Sequence, residues 1–77
     1  MIDLAAVLDG LDHAADWFEV RRHESRTTVA AFVANPASAP PHGSHRVVYG
    51  EAPRTADAAA DVARAARQAL DQLEVPA

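Results

Sequence analysis

The 77-residue sequence contains no cysteine and no lysine, and each absence excludes a class of structure or partner. Without cysteine, neither a disulfide framework nor a thiolate metal site can stabilise the fold. The seven side chains in the lysine and arginine count are all arginines, against 11 acidic residues, and the formal net charge is −4. This acidic balance disfavours unaided binding to nucleic acid or to an anionic membrane.

Long apolar stretches are also missing. No run approaches the length of about 18 residues that a membrane span needs. Asp3 stands where a secretory signal would carry a basic residue. We therefore predict a cytoplasmic protein that does not interact with a membrane. A chain of 77 residues can build one core and little more, so we expect a single domain over residues 1–77. An enzyme is disfavoured at this size.

Apolar residues recur with helical spacing at both ends of the chain and alternate between them. This pattern predicts an α+β fold in the order α-β-β-β-α, with a three-stranded antiparallel sheet and two helices packed on one face. The predicted elements are a helix at about 3–11, strands at about 17–24, 27–34 and 45–50, and a helix at about 55–74. Three prolines and a glycine between residues 35 and 44 predict a long loop.

The ends of these elements carry recognisable signals. Asp3 and Thr55 are residue types that cap helix N-termini. Gly10 indicates the end of the first helix, although Ala14 and Ala15 could extend it. Residues 51–54 are expected to turn the chain. In the last helix, the residues expected to face the core are Ala59, Val62, Ala63, Ala66, Leu70 and Leu73. Those expected to face solvent are Asp57, Asp61, Arg64, Arg67, Gln68 and Asp71.

The last helix resembles the closing helix of the double-stranded RNA-binding domain, which has the same element order. The matching residues are Ala65, Ala66, Ala69, Leu70 and Leu73. The family's RNA-contacting lysines are not matched, since those positions hold Ala58, Ala59 and Val62. The resemblance therefore implies the fold. It leaves a divergent nucleic-acid-binding domain of this type as an alternative function, which the missing lysines disfavour.

One tryptophan and several arginines are candidates for partner binding. They are Trp17, Arg21, Arg22, Arg26 and Arg46. The arginines could form a basic patch on the open face of the sheet, or they could pair across strands with Glu19 and Glu24. Trp17 could pack at the core edge between the first helix and the sheet. It could instead lie outward beside Arg21, as an interface anchor.

These candidates favour a docking module without a cofactor. We predict a non-enzymatic protein that recognises a peptide or an acidic partner surface, such as a terminal domain of a multi-enzyme assembly. An unpaired strand edge could accept a peptide as an added strand, or it could pair with a second copy in a homodimer. A small enzyme or ligand-binding protein that works as an oligomer is a third option.

Two groups of residues have the composition of a chemical site. His42 and His45, with His23 or Glu51, could ligate zinc, but histidines in a polar loop are ordinarily solvated. The His23-Glu24-Ser25 run contains the residue types of a hydrolytic triad. Because successive side chains of a strand point to opposite faces, these three cannot align as nucleophile, base and orienter. We therefore predict neither a metal site nor a catalytic site.

Overall fold

The computed structural model describes residues 3–34 and 45–74, and all structural statements concern these residues. The elements are α1 (Leu4–Ala14), β1 (Trp17–Arg22), β2 (Arg26–Ala34), β3 (His45–Pro53) and α2 (Ala58–Glu74). The strands form one antiparallel sheet in the order β1-β2-β3. The predicted α-β-β-β-α order and the three-stranded antiparallel sheet are confirmed.

The register of the strands determines which side chains face the helices. Val20 lies opposite Val29, which in turn lies opposite Gly50, and Ala31 lies between Phe18 and Val48 in the same way. These positions point toward α1 and α2, because side chains alternate between the two faces of a sheet. The core residues are Val7, Leu11, Val29, Ala31, Val48, Ala52, Ala65, Ala66, Ala69 and Leu70.

Helix α2 lies very close to the sheet. A Cβ atom at Gly50 would be 1.7 Å from the carbonyl oxygen of Ala65, so only glycine permits this approach. The facing residues of α2 are also small, since Ala65, Ala66 and Ala69 are all buried. Helix α1 packs mainly on α2 and covers little of β1. The inner face of the sheet is therefore covered most completely over β2 and β3.

Helix α1 begins as predicted and ends later than predicted. The Asp3 carboxylate accepts a hydrogen bond from the backbone N–H of Ala5 at 3.1 Å and caps the helix. The helix passes Gly10, the expected end, and continues to Ala14, which is the extension that the sequence also allowed. A Cβ atom at Gly10 would lie 2.8 Å from Cδ2 of Leu70. The absence of a side chain at Gly10 therefore leaves room for Leu70 of α2 to pack against α1.

The segment before α2 also differs from the prediction. Residues expected to turn the chain continue β3 as far as Pro53, with Ala52 buried opposite Thr27. Asp57, not Thr55, is the residue that caps α2, because its carboxylate accepts a hydrogen bond from the N–H of Ala60 at 3.1 Å. Thr55 instead donates hydrogen bonds to the carboxylate of Asp61.

The buried face of α2 is rotated relative to the predicted one. Asp61, expected to face solvent, is fully buried, and Ala59, expected in the core, is exposed. The row that starts at Asp61 and continues through Ala65 and Ala69 faces the sheet. In the described part of the chain, neither helix combines the length and the apolar character required to span a membrane.

Candidate docking face and the buried Asp61 cluster

The sheet face opposite the helices contains an open groove of about 600 Å³. The short side chains of Thr28 and Ala30, on the central strand, form its floor. Longer side chains of the flanking strands form the walls, including Glu19 on β1 and Tyr49 on β3. No helix of the described residues covers this face, which we call the outer face. A groove with a shallow floor and taller walls suits an extended segment.

Aromatic rings stand at one end of the outer face. The rings of Trp17 and Phe32 are stacked, with centroids 4.7 Å apart and planes 9° from parallel. Trp17 is 43% exposed, and Tyr49 on β3 is 65% exposed. Of the two positions considered for Trp17, the structure shows the outward one. The core-edge position is wrong, because Trp17 lies opposite Phe32 in the strand register and shares its face.

The groove walls carry equal numbers of arginines and glutamates. Arg21 lies 3.5 Å from Glu19, and Arg26 lies 4.0 Å from Glu51. All four side chains are exposed, and exposed pairs contribute little to stability. The carboxyl partner of each arginine can therefore be exchanged at small cost. His23 also lines the groove, and its Nε2 lies 3.2 Å from the hydroxyl of Thr28.

The predicted arginine patch is divided between the two faces of the sheet. Arg21 and Arg26 line the outer groove, whereas Arg22 and Arg46 reach toward α2. Arg46 donates a hydrogen bond to the carbonyl oxygen of Gln72 at 3.0 Å, near the C-terminal end of the helix. Of the arginines that could have formed a patch on the open face, only Arg21 and Arg26 lie there. Arg22 follows Arg21 on the same strand and therefore points to the opposite face.

Arg22 belongs to a buried polar cluster centred on Asp61. The Asp61 carboxylate accepts hydrogen bonds from Nη1 of Arg22 at 3.0 Å and from Nη2 of Arg64 at 2.7 Å. Thr55 donates twice more, through its hydroxyl at 2.6 Å and its backbone N–H at 2.7 Å. Arg22 also donates to the hydroxyl of Thr27 at 3.0 Å. Among the described residues, no buried side-chain nitrogen or oxygen lacks a hydrogen bond.

These contacts lower the pKa of the Asp61 carboxyl from 3.8 to about 2. The largest cause is the hydrogen bond from the Thr55 hydroxyl, which favours the ionised form. Burial acts in the opposite direction, and the Thr55 backbone N–H and the Arg22 guanidinium add to the lowering. The cluster joins the end of β1, the segment before α2 and the first turns of α2. It stabilises the arrangement of these elements.

Sequence reasoning missed this cluster, although a signal was present. Asp61 lies four residues before Ala65 and eight before Ala69, on the row of small residues that faces the sheet. A carboxylate on such a row requires basic or hydroxyl partners from elsewhere in the chain. Asp61 and Arg64 are three residues apart and form an ion pair at 2.7 Å, although both were expected to face solvent.

The two edges of the sheet differ. On the β3 edge, Oε1 of Gln68 accepts a hydrogen bond from the backbone N–H of Glu51 at 3.1 Å. Nε2 of Gln72 donates to the carbonyl oxygen of Tyr49 on the same edge. Both glutamines project from α2, so the helix satisfies backbone groups that a further strand would use. On the β1 edge, no described strand or glutamine takes this position.

The histidines that could have ligated zinc lie partly outside the described part of the chain. His42 and the side chain of His45 lie outside the described residues. Within residues 3–34 and 45–74, no three histidine, aspartate or glutamate side chains are grouped as a metal site requires. His23 of the triad-like run contacts Thr28. The backbone carbonyl of Ser25 accepts a hydrogen bond from the N–H of Arg54 at 3.1 Å.

Comparison of the chain with family models, with curated proteins and with solved structures found no match.

Proposed function

We propose that this chain is a non-enzymatic docking module that holds a peptide segment of a protein partner on the outer face of its sheet. The observation that carries the proposal is the set of aromatic rings on a sheet face that the helices do not cover. Trp17 and Tyr49 are large and exposed. Tyr49 lines the groove, and Trp17 stacks on Phe32, which also lines it. Tryptophan, tyrosine and arginine are the residue types enriched among the side chains that contribute most to binding at protein interfaces.

The groove suits an extended peptide with an apolar anchor. The short side chains of Thr28 and Ala30 let a peptide lie close to the sheet, between the taller walls. An aromatic or aliphatic side chain of the peptide would contact Phe32 and Tyr49. Burying such a side chain contributes about 1.5–3 kcal/mol before the cost of ordering the peptide.

An acidic residue beside the anchor would improve the fit. Arg21 and Arg26 hold their glutamate partners at 3.5 and 4.0 Å, both at the long end for an ion pair. A peptide carboxylate can replace either glutamate and bind the guanidinium with two parallel hydrogen bonds. The proposed ligand class is therefore an extended peptide that carries an apolar residue and an acidic neighbour.

The test is selection of binding peptides from a random displayed library, followed by titration of each selected peptide. Trp17 is the only tryptophan and stacks on Phe32, which lines the groove, so its fluorescence reports on the proposed site. We expect selected sequences to combine an apolar residue with an acidic neighbour. We expect Tyr49→Ala and Arg26→Gln each to raise the dissociation constant by about tenfold.

Arg67→Gln is the matched control, because Arg67 is also exposed and paired with a carboxylate, but on α2. This variant should bind the selected peptides with unchanged affinity. Equal affinity for Tyr49→Ala and the unaltered chain would refute the assignment of the groove.

Labelled oligonucleotides form the second arm of the test, because exposed aromatic rings beside arginines also bind single-stranded nucleic acid. Salt-dependent binding of single-stranded or double-stranded RNA, without peptide binding, would favour the alternative of a divergent nucleic-acid-binding domain.

The cytoplasmic location stays a prediction.

A further inference from the structure

The β1 edge of the sheet has backbone groups available for pairing. The N–H of His23 bonds to the carbonyl oxygen of Arg26 at 2.7 Å and closes the β1–β2 hairpin. Along an antiparallel ladder, every second residue bonds to the neighbouring strand and the residues between point the other way. Since His23 bonds to β2, the N–H and C=O groups of Phe18, Val20 and Arg22 point away from β2. Because β1 is an outer strand in the order β1-β2-β3, these groups face the edge. Unpaired edge groups of this kind are a template for another strand.

Apolar side chains are exposed on the same strand. Val20 points toward the helix layer but is 41% exposed, because α1 packs mainly on α2 and covers little of β1. Trp17 on the opposite face of β1 is 43% exposed. The edge strand therefore combines backbone groups that no described strand pairs with and apolar surface on both of its faces.

Of the three registers centred on Glu19, Val20 and Arg21, the charges on β1 favour the one centred on Val20 for pairing with a second copy. When the two-fold axis passes through Val20, Glu19 lies opposite the partner's Arg21, and Arg21 lies opposite the partner's Glu19. Each Val20 then contacts the partner's Val20. With the axis through Glu19, two glutamates would lie opposite each other, and with the axis through Arg21, two arginines would. Opposed like charges destabilise a strand pair, and opposite charges stabilise it.

We infer that the chain forms a homodimer by antiparallel pairing of β1 with β1 of a second copy, centred on Val20. The result is a continuous six-stranded sheet with both outer grooves on one face. Its outer edges are then the two β3 strands, where Gln68 and Gln72 already satisfy edge backbone groups. The pairing is isologous and closes at two copies. It goes beyond the docking function and does not depend on it.

Sedimentation velocity at high micromolar concentration tests the inference with two opposite charge reversals. We expect the unaltered chain to have about twice the monomer mass of 8.2 kDa. Glu19→Arg places arginine opposite arginine, and Arg21→Glu places glutamate opposite glutamate, so each variant alone should be monomeric. An equimolar mixture of the two restores both opposite-charge pairs and should form a heterodimer. The combined variant E19R/R21E should form a homodimer.

Val20→Cys provides a second readout that does not depend on charge. The chain has no other cysteine, and the two Val20 positions face each other across the proposed axis. Directly opposite residues of a hydrogen-bonded pair have Cα atoms about 5.5 Å apart, within the range of a disulfide. Mild oxidation should cross-link this variant rapidly. Tyr49→Cys, exposed on β3, is the matched control and should cross-link only slowly.

Two results would overturn the inference. One is a monomeric mass of the unaltered chain together with no faster cross-linking of Val20→Cys than of the control. The other is a dimer that persists in both single charge-reversal variants with an unchanged dissociation constant, since the interface would then lie elsewhere. Circular dichroism should be the same for all variants, because Glu19 and Arg21 are exposed and Val20 is partly so.

Discussion

The guanidinium of Arg22 lies 3.0 Å from the carboxylate of Asp61, 39 positions further along the chain. Arg22 is at the end of β1, and Asp61 is in the first turns of α2. The side chain of Asp61 has no exposed surface, so its charge depends on protein donors alone. A buried carboxylate without partners would cost several kcal/mol, and here two arginines and a threonine compensate it. This pair connects the sheet to the helix layer.

Replacing Asp61 with asparagine should destabilise the fold strongly. The amide has nearly the same shape as the carboxylate, but it is neutral, so the charges of Arg22 and Arg64 lose their negative partner. Its NH₂ group would also point at groups that donate hydrogen bonds. We expect the melting temperature to fall by at least about 10 °C. Thermal unfolding followed by circular dichroism measures this change.

Asp71→Asn is the matched control, because Asp71 is exposed on the same helix and is paired with Arg67 at 2.9 Å. Its melting temperature should change by about 5 °C at most. Equal losses for the two variants would show that the buried position of Asp61 has no special effect.

The stability of the protein should decrease in acid through Asp61. Its pKa is about 2 in the folded protein and 3.8 ordinarily, so folding lowers it. The corresponding contribution to the free energy of unfolding is present above about pH 4. As the pH falls from about 4 to 2, the unfolded chain binds a proton at this carboxyl while the folded chain does not, and the contribution is lost.

Thermal melts at several pH values between about 6 and 2 test this dependence. The melting temperatures of the unaltered chain and of Asp61→Asn should converge as the pH approaches 2, because asparagine does not titrate. A difference that stays constant over this range would contradict the lowered pKa of Asp61.

Gly50→Ala and Gly10→Ala should have very different effects. An alanine Cβ at Gly50 would lie 1.7 Å from a backbone oxygen of α2, which no side-chain rotation can relieve. We expect a fall in melting temperature of at least about 10 °C, or failure to fold. At Gly10 the nearest atom, at 2.8 Å, is the end of the flexible Leu70 side chain.

In Gly10→Ala, the higher helix propensity of alanine, worth about 1 kcal/mol, offsets the repacking of Leu70. The melting temperature should therefore change little. Chemical denaturation of the two variants measures the contrast directly. A mild effect at Gly50 would show that α2 can move away from the sheet without loss of packing.

Local features of the sequence predicted the order and nature of the elements. Strand and helix periodicity are properties of consecutive residues, and so are the Asp3 cap and the spacing of the Arg67–Asp71 ion pair. Errors of a few residues occurred where a distant contact extended an element. Helix α1 continues past Gly10, where the Leu70 side chain packs against the helix. Strand β3 continues to Pro53 because Ala52 pairs with Thr27.

The candidate site was predicted in part. Alternation along the first strand places Phe18 and Val20 on one face and Glu19 and Arg21 on the other, but it does not show which face the helices cover. The outward position of Trp17 was one of two that the sequence allowed. It followed only from the strand register, which sets Trp17 beside Phe32.

The sequence alone therefore determined the α-β-β-β-α order, because periods of 3.6 and two residues arise from backbone geometry within each segment. Only the tertiary structure decided which charges are buried and which sheet face stays open. Asp61 is a buried anion because Arg22 and Thr55 contact it from other segments of the chain. A charged side chain is buried only where oppositely charged or hydrogen-bonding groups contact it, and a local sequence pattern does not specify contacts between distant segments.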